Sequence, residues 1–352
     1  MPAKIIIDCE RLKHPHTGLY HFCYNLGKNL LANSDPETEE INFYLPKNIK
    51  DIFGENKKCI IQQPWHKLVL PNTGKYDVWH ATHQDSDYFP HNRKIPLVLT
   101  IHDLNILHNN KKSEEKKKRF LEDLAKKVKR SDHITFISSF TKTDALQYID
   151  IENKPSTVIY NGCNIETIDN LSTPVNTPAG QFYFTIGTIA EKKNFHVLPA
   201  LLVGNDRLLI IAGITQSKEY KQVIIGEAIK YGVEKKVIFT GSINENDKQW
   251  YYKNCEAFLF PSLTEGFGLP VVEAMYFGKP IFLSTCTSLP EIGGDIAYYF
   301  KTFLPEDMQL TVQQGLQHYK NTNPAEKIKA RSALFSWKQA AIQYLQVYRS
   351  LY

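Results

Sequence analysis

The stretch Ala257-Phe-Leu-Phe260 followed by Pro261-Ser-Leu-Thr-Glu-Gly-Phe-Gly-Leu-Pro-Val-Val-Glu-Ala-Met-Tyr-Phe-Gly-Lys-Pro280 reads as a strand, a glycine-punctuated turn and a helix. Four unbroken apolar residues suit a strand buried on both faces. Gly266 and Gly268 let the backbone approach a ligand with no Cβ in the way. Pro270 suits the start of the helix, where a missing N–H costs nothing. Gly278 suits the C-terminal cap, and Pro280 stops continuation. Such a turn offers amides at a helix N-terminus, a ready anion site. Glu265 lies on the turn, and Glu273, eight residues later, is expected in the first turn of the helix. Two carboxylates beside an anion site call for a ligand that also carries neutral hydroxyls. A sugar is such a ligand.

The same alternation continues on both sides. Lys4–Asp8, Val78–Ala81, Leu97–Ile101 and His133–Ile137 read as buried strands, with helices over Tyr20–Leu31, Lys116–Lys129 and Ser139–Tyr148. Phe182–Ile186, Arg207–Ala212, Lys236–Thr240, Ala257–Phe260 and Pro280–Ser284 repeat the pattern. Short apolar strands alternating with helices predict parallel sheets covered on both faces. Asp169–Gln181 is polar, holds two prolines and shows no periodicity, so it reads as a linker. The expected organisation is an N-terminal Rossmann-like domain over 1–168, a linker over 169–181, and a C-terminal Rossmann-like domain over 182–335. A helix over 336–352, capped by Ser336, is expected to return to the N-terminal domain.

A length of 352 residues favours two domains, and 42% hydrophobic against 22% charged residues is the balance of a globular protein, which excludes wholesale disorder. No apolar run approaches the ~20 residues of a membrane-spanning helix, and the start, Met1-Pro-Ala-Lys-Ile-Ile-Ile-Asp8, does not resemble a secretory signal. The expectation is a cytoplasmic protein. Six cysteines without a CxxC pair argue against a disulfide framework or a zinc site. The net charge of +5 is concentrated: Lys111–Arg130 holds ten Lys/Arg and four Asp/Glu. This segment is either a solvated helix face or a contact with an anionic surface such as the inner face of a plasma membrane. Nucleic acid is excluded as a partner, because no recognition pattern accompanies the lysines.

The 261–280 stretch resembles the E-x7-E signature of the family-4 retaining glycosyltransferases, enzymes of the GT-B fold with two Rossmann-like domains whose parallel sheets face a central cleft. The resemblance covers most of the chain and is densest over 184–300. It implies that Glu265 reaches the hydroxyls of the transferred sugar and that Glu273 holds the nucleotide ribose. It also implies that the backbone around Gly266, Phe267, Gly268 and Leu269 meets the diphosphate or sugar. Ile186-Gly-Thr-Ile-Ala-Glu-Lys-Lys-Asn194 matches a second patch, in which Lys192 and Lys193 neutralise the departing diphosphate. Lys192 stands where the family usually has arginine, so a point charge replaces a bidentate fork. Gly241-Ser242-Ile243-Asn244 resembles the loop that frames the base. Thr17-Gly18 resembles the glycine loop that closes over the diphosphate and donor sugar.

His102, in Thr100-Ile-His-Asp-Leu104, matches a family histidine near the donor sugar, at the carboxyl end of a strand where α/β sheets bind ligands. His80 and His83 are read as lining the acceptor pocket. Asp85-Ser-Asp87 looks like the metal-binding D-x-D of another glycosyltransferase fold, but lies in the other half from the diphosphate signatures. No metal and no cofactor are expected. Ser288-Leu-Pro-Glu291 resembles a segment facing the cleft, with no assigned role.

The resemblance therefore implies a hexosyltransferase, closest in pattern to bacterial mannosyltransferases of surface-polysaccharide and lipopolysaccharide assembly. It would use a GDP- or UDP-sugar, with mannose favoured, and a glycan or lipid-linked saccharide acceptor. Retention by double displacement needs a carboxylate on the opposite sugar face, and no residue offers itself, so front-face attack is expected. A GT-B nucleotide-sugar epimerase and a non-catalytic two-lobed sugar-binding protein are the alternatives.

Overall fold

The computed structural model describes residues 1–352 except 16, 56, 57, 71, 72, 91–93, 110, 152 and 164. His16, within the expected His14–Gly18 loop, lies outside the described residues. The chain forms two compact units, Met1–Gly162 with Phe335–Tyr352, and Cys163–Leu334.

The first unit holds β1 (Ala3–Asp8), β2 (Glu39–Leu45), β3 (Cys59–Ile61), β4 (Val78–Ala81), β5 (Leu97–Ile101), β6 (His133–Phe136) and β7 (Ser156–Val158). They make one sheet in the order β3-β2-β1-β4-β5-β6-β7, and every pairing is parallel. Its helices begin with α1 (Gly18–Asn33), α2 (Glu114–Arg130) and α3 (Ser139–Ala145), each opened by a side-chain cap from Thr17, Ser113 or Ser138. Ile5, Ile6, Ile7, Trp79, Leu97, Leu99 and Phe136 are fully buried, as a two-sided sheet requires.

The second unit repeats the plan with β8 (Phe182–Ile186), β9 (Leu208–Ala212), β10 (Val237–Gly241), β11 (Ala257–Phe260), β12 (Ile281–Ser284) and β13 (Tyr298–Phe300), in the order β10-β9-β8-β11-β12-β13. Its helices are α4 (Lys218–Lys230), α5 (Glu245–Asn254), α6 (Leu269–Tyr276), α7 (Leu289–Gly293), α8 (Pro305–Thr322) and α9 (Ala325–Ser332). The chain ends in α10 (Trp337–Arg349), which belongs to the first unit and lies against α1.

Both sheets reverse their strand order once, at β1/β4 and at β8/β11. In an open α/β sheet, ligands bind outside the carboxyl ends of the strands at that switch point. The topology thus singles out Cys9–Gly18 and Thr82–Asp87 in one unit, and Gly187–Lys193 and Pro261–Gly268 in the other.

Residues 169–181, expected as a linker, belong with the preceding 165–168 to the second unit and are bonded to it. Gln249 on α5 donates to the Glu166 carbonyl and accepts the Ile168 amide, and Ser172 exchanges two hydrogen bonds with Asn246. Polar composition here supplies partners for α5 rather than freedom. The C-terminal helix starts after Ser336, whose side chain makes no capping bond.

Candidate functional site

At the β8/β11 switch point two turns are stitched together. The Leu263 amide donates to the Lys192 carbonyl at 2.8 Å. Glu191–Lys193 is a single 3-10 turn, and Asn194, at φ 57°, redirects the chain after it. This turn separates the two lysines by environment. Lys192 is exposed, whereas Lys193 is 8% exposed and lies with its ammonium 4.8 Å above the Phe260 ring. Lys193 Nζ stands 2.5 Å from Glu265 Oε1, and the Ser262 hydroxyl donates to the same oxygen at 2.6 Å. The expected pair of equivalent cations is therefore one solvent-facing charge and one buried charge already bound to the Glu265 carboxylate. Burial works to raise the Glu265 pKa, but the charges of Lys193 and Lys192, with the bonds from Lys193 and Ser262, outweigh it and hold it below its ordinary value. Glu265 is a carboxylate at neutral pH.

The turn passes into α6 through Gly268, whose φ of +104° a side chain would resist. The amides of Gly268 and Leu269 find no acceptor among the described residues and sit at the start of α6, where helix geometry favours an anion. Glu273 lies one turn further into α6 than expected, because the helix opens at Leu269. Its Oε1 accepts from Lys248 Nζ and its Oε2 from the Tyr252 hydroxyl, each at 2.9 Å. Lys248 also pairs with Glu245, and burial, which would lower its pKa, is overcome by these two carboxylates. All three partners lie on α5, whose cap Asn244 closes the Gly241-Ser242-Ile243 loop. Glu273 and the Gly241–Ile243 loop are thus coupled through one helix. Ser262, Lys248 and Tyr252 escaped the sequence reading, since lone residues of these types carry no motif.

In the first unit, Thr17 caps α1 by accepting the Tyr20 amide at 3.2 Å, and a Cβ on Gly18 would meet nothing within 4 Å. His102 ends β5 with its amide bound to Gln84 Oε1 and its Nε2 2.8 Å from the Thr82 carbonyl. A carbonyl only accepts, so Nε2 carries the proton and Nδ1 is left as an acceptor. Burial pushes the His102 pKa down to about 4 and keeps it neutral. His83 lies with its ring centroid 5.2 Å from that of His102 and accepts the Asp85 amide on Nδ1 at 3.0 Å. Its pKa is also lowered by burial.

His80 does not line a pocket. It is fully buried, with Nε2 2.7 Å from Thr100 Oγ1 and Nδ1 2.7 Å from the Tyr348 hydroxyl of α10. A histidine at the carboxyl end of a strand faces either solvent or a covering helix, and here α10 covers it. The Asp-x-Asp residues also diverge. Asp87 forms an ion pair with Lys67 at 2.5 Å, while Asp85 lies beside His83 and presents its carbonyl to Arg11. Between them Ser86 donates to the Asp8 carboxylate, a buried group whose pKa burial pushes up to about 7.

Comparison with known proteins adds to this geometry. Residues 29–167 match the family model described as Glycosyltransferase Family 4, and residues 174–328 match Glycosyl transferases group 1. The O-antigen chain mannosyltransferase B of Escherichia coli is 25% identical, over 99% of this chain and 100% of that one. The serotype-specific mannosyltransferase WbdA of Escherichia coli is 28% identical over 69% of this chain, which spans 32% of WbdA. Among solved structures, sucrose-phosphate synthase from Thermosynechococcus elongatus superposes with a TM-score of 0.75 at 18% identity, covering 99% of both chains. Anabaena HepE in complex with UDP and glucose gives 0.75 at 16%, covering 99% of this chain and 100% of that one. These likenesses show the fold.

Proposed function

We propose that this chain, which belongs to the glycosyltransferases built from a family 4 domain and a group 1 domain, transfers a hexose from a nucleotide-diphosphate sugar to a saccharide acceptor. Mannose is the favoured hexose and a glycan or lipid-linked saccharide the favoured acceptor, because full-length and partial relatives alike are O-antigen or serotype-specific mannosyltransferases. The observation that carries the reading is the Lys193–Glu265 contact at the switch point of the second sheet. Lys193 there aims a carboxylate suited to sugar hydroxyls, beside the exposed Lys192 and the amides of Gly268 and Leu269, which suit a diphosphate.

Each residue then has a task. Lys192 and the Gly268 and Leu269 amides take the charge that grows on the departing diphosphate. Glu265, aimed by Lys193 and Ser262, accepts from hydroxyls of the hexose. Glu273, gripped by Lys248 and Tyr252, holds the ribose, and Gly241–Asn244 frames the base. In the first unit, Gly18 and the unprotonated Nδ1 of His102 are the groups suited to sugar hydroxyls, and His83 the group suited to an acceptor. Glu265 is already engaged by an ammonium and a hydroxyl, which suits gripping better than nucleophilic attack. Front-face attack with retention of configuration is the mechanism we favour, with lysines and amides serving where another fold uses a metal.

Among the described residues no helix is long and apolar enough to cross a membrane. The exposed lysines of α2 supply peripheral contact with an anionic bilayer, where a lipid-linked acceptor would be met.

The test offers wild type GDP-mannose and UDP-hexoses with a mannan-type acceptor, with and without a chelator. Labelled hexose in an α-linked product, undiminished by chelator and lost in Glu265→Ala, is expected. A trapped covalent glycosyl-enzyme, or epimerised donor without transfer, would overturn it.

A further inference from the structure

The segment after β12 carries a motif, Ser288-Leu-Pro-Glu291, to which the sequence assigns no role. In the structure this segment holds the turn that carries Glu265. Thr287 Oγ1 accepts the Glu265 amide at 3.0 Å. The Ser288 hydroxyl, fully buried, lies 3.0 Å from the Glu265 carbonyl and 3.0 Å from the Phe267 carbonyl. Leu289 Cδ2 closes the far end, 3.0 Å from where a Cβ on Gly268 would stand. Three consecutive residues thus meet the turn at its start, middle and end. Ser284, the last residue of β12, adds a bond from its hydroxyl to the Ser262 carbonyl at 2.5 Å.

Thr287 does this from an unfavourable conformation. Its φ of +55° lies in the left-handed region, where a β-branched residue is an outlier. Strain of this kind persists where surrounding structure over-determines it, and it concentrates at functional sites. Glycine would occupy the position without strain, but it has no hydroxyl to receive the Glu265 amide.

We infer that Thr287 and Ser288 are positioning residues that fix the Glu265–Gly268 turn in the geometry that grips the donor sugar; the inference rests on the hexose-transfer reading above. An acceptor on the Glu265 amide and a single hydroxyl proton shared between the Glu265 and Phe267 carbonyls restrain the peptides of this turn. Lys193 and Ser262 aim the carboxylate, while Thr287 and Ser288 hold the backbone it grows from. A group held in this way needs no reorganisation when the sugar arrives. Thr287 acts on Glu265 and not on the Gly268 and Leu269 amides, so its influence falls on the hexose more than on the diphosphate.

The test compares Thr287→Val, Thr287→Gly and Thr287→Ser with wild type, using whichever pair of nucleoside diphosphate and nucleotide sugar wild type binds. Binding is read by calorimetry and turnover with saturating acceptor. Valine keeps the branching and loses the acceptor, glycine loses both hydroxyl and strain, and serine keeps the hydroxyl. In the valine and glycine variants kcat and nucleotide-sugar affinity are expected to fall about tenfold, with nucleoside-diphosphate affinity within about twofold of wild type. Serine is expected to restore both. The glycine variant, relieved of strain, is expected to melt close to wild type, which separates lost positioning from lost folding. Valine and glycine variants that turn over like wild type, or that lose both ligands equally, would overturn the inference alone. A wild type that binds no nucleotide sugar would overturn the hexose-transfer reading and this inference with it.

Discussion

Lys193 and Glu265, 72 residues apart in the chain, meet at 2.5 Å with side chains only 10% and 13% exposed. Their pairing exists because β8 and β11 are neighbours at the point where the sheet reverses its order. The pair is the structural keystone of the turn as well as its chemistry, so removing one member has two consequences. Lys193→Met leaves a buried carboxylate without its counter-charge, which costs about 3–5 kcal/mol. Lys193→Met with Glu265→Gln is expected to recover most of that loss while remaining inactive. Urea unfolding of the two variants checks this; a double variant as unstable as the single one would argue against it.

Acid should weaken the same pair. The Glu265 pKa is lowered on folding, so its contribution is present above the ordinary value of 4.5 and is lost as pH falls through the lower folded value. The contribution is therefore expected to be flat across neutral pH and to vanish only below about pH 4.5. Comparing wild-type and Glu265→Gln melting curves between pH 7 and pH 3 isolates it.

Lys192 should behave oppositely to Lys193. It is exposed and none of its side-chain atoms is paired among the described residues. Lys192→Ala is expected to change stability by no more than about 0.5 kcal/mol, yet to lower transfer about a hundredfold if its charge faces the leaving diphosphate. Lys192→Arg, restoring a bidentate fork, is expected to retain activity. Unfolding curves and steady-state rates on the same preparations separate the two effects.

The histidines of the first unit give a second pH signature. Burial lowers the pKa of His80 to about 3 and of His102 to about 4, and lowers that of His83. Each is neutral when folded and takes up a proton more readily when unfolded. Stability therefore falls as pH drops from about 6.5 toward 4. Asp8, raised to about 7, works the other way, because the folded state holds its proton over much of the same range. Burial lowers His66 and His133 of the same unit as well and raises Asp85, so five histidines oppose two carboxyls; net destabilisation on acidification is expected, steepest between pH 6.5 and 4. His80→Gln is expected to flatten the slope of melting temperature against pH; an unchanged slope would assign the effect elsewhere.

The legible parts of this molecule were those in which one short stretch contains its own reason. Ala257–Phe260 is four apolar residues flanked by turn signals, and it is β11 to the residue. Gly268, Pro270 and Gly278 placed α6 because backbone geometry demands those residue types. The edge strands were not legible. β3 and β7 are three residues each, and β2 opens on Glu39 and Glu40, so none shows an unbroken apolar run. The site was legible where a motif is contiguous and illegible where it depends on contacts. Nothing local marks Ser262, Thr287 or Lys248, whose roles arise from which strands and helices become neighbours. His80 misled for the same reason: its place at a strand end suggested a pocket, and only the return of α10 makes it core.

Helix α2 tests membrane contact. Leu124 and Val128 are buried, and several of its cations are spent locally: Lys127 on Asp123 and the Gln84 carbonyl, Lys117 on Glu114, Arg119 on Glu115. Lys112, Lys116, Lys118, Lys126 and Lys129 remain exposed. Each basic residue near an anionic bilayer is worth about 1 kcal/mol. Replacing Lys116, Lys118, Lys126 and Lys129 by glutamine is expected to weaken binding to phosphatidylserine-containing vesicles in low salt by about a hundredfold, roughly two thirds of the additive limit in energy. Transfer to a soluble acceptor is expected to be unchanged. Vesicle sedimentation that shows equal binding would leave α2 a solvated face.

Gly162 is the last residue of the first unit before the chain enters the second, and α10 is seated against it. A Cβ at this position would stand 1.9 Å from the Trp337 amide nitrogen and 2.5 Å from the Ser336 carbonyl carbon, both backbone atoms that cannot swing aside. What α10 contributes is large. Trp337, Tyr344 and Tyr348 are almost wholly buried, Tyr348 binds His80, and Arg349 pairs with Glu39. Gly162→Ala therefore has two outcomes open to it: the helix shifts bodily, or its first turn unravels. Either breaks the Phe22–Trp337 edge contact and the Tyr348–His80 bond together. Overpacking of this kind costs about 3 kcal/mol, close to the cost of deleting a large aromatic side chain such as Trp337→Ala. The two substitutions act on one contact, so they are expected to be strongly non-additive. Chemical unfolding of both single variants and the double variant measures this. An alanine at 162 that leaves stability near wild type would mean that α10 is not seated on Gly162.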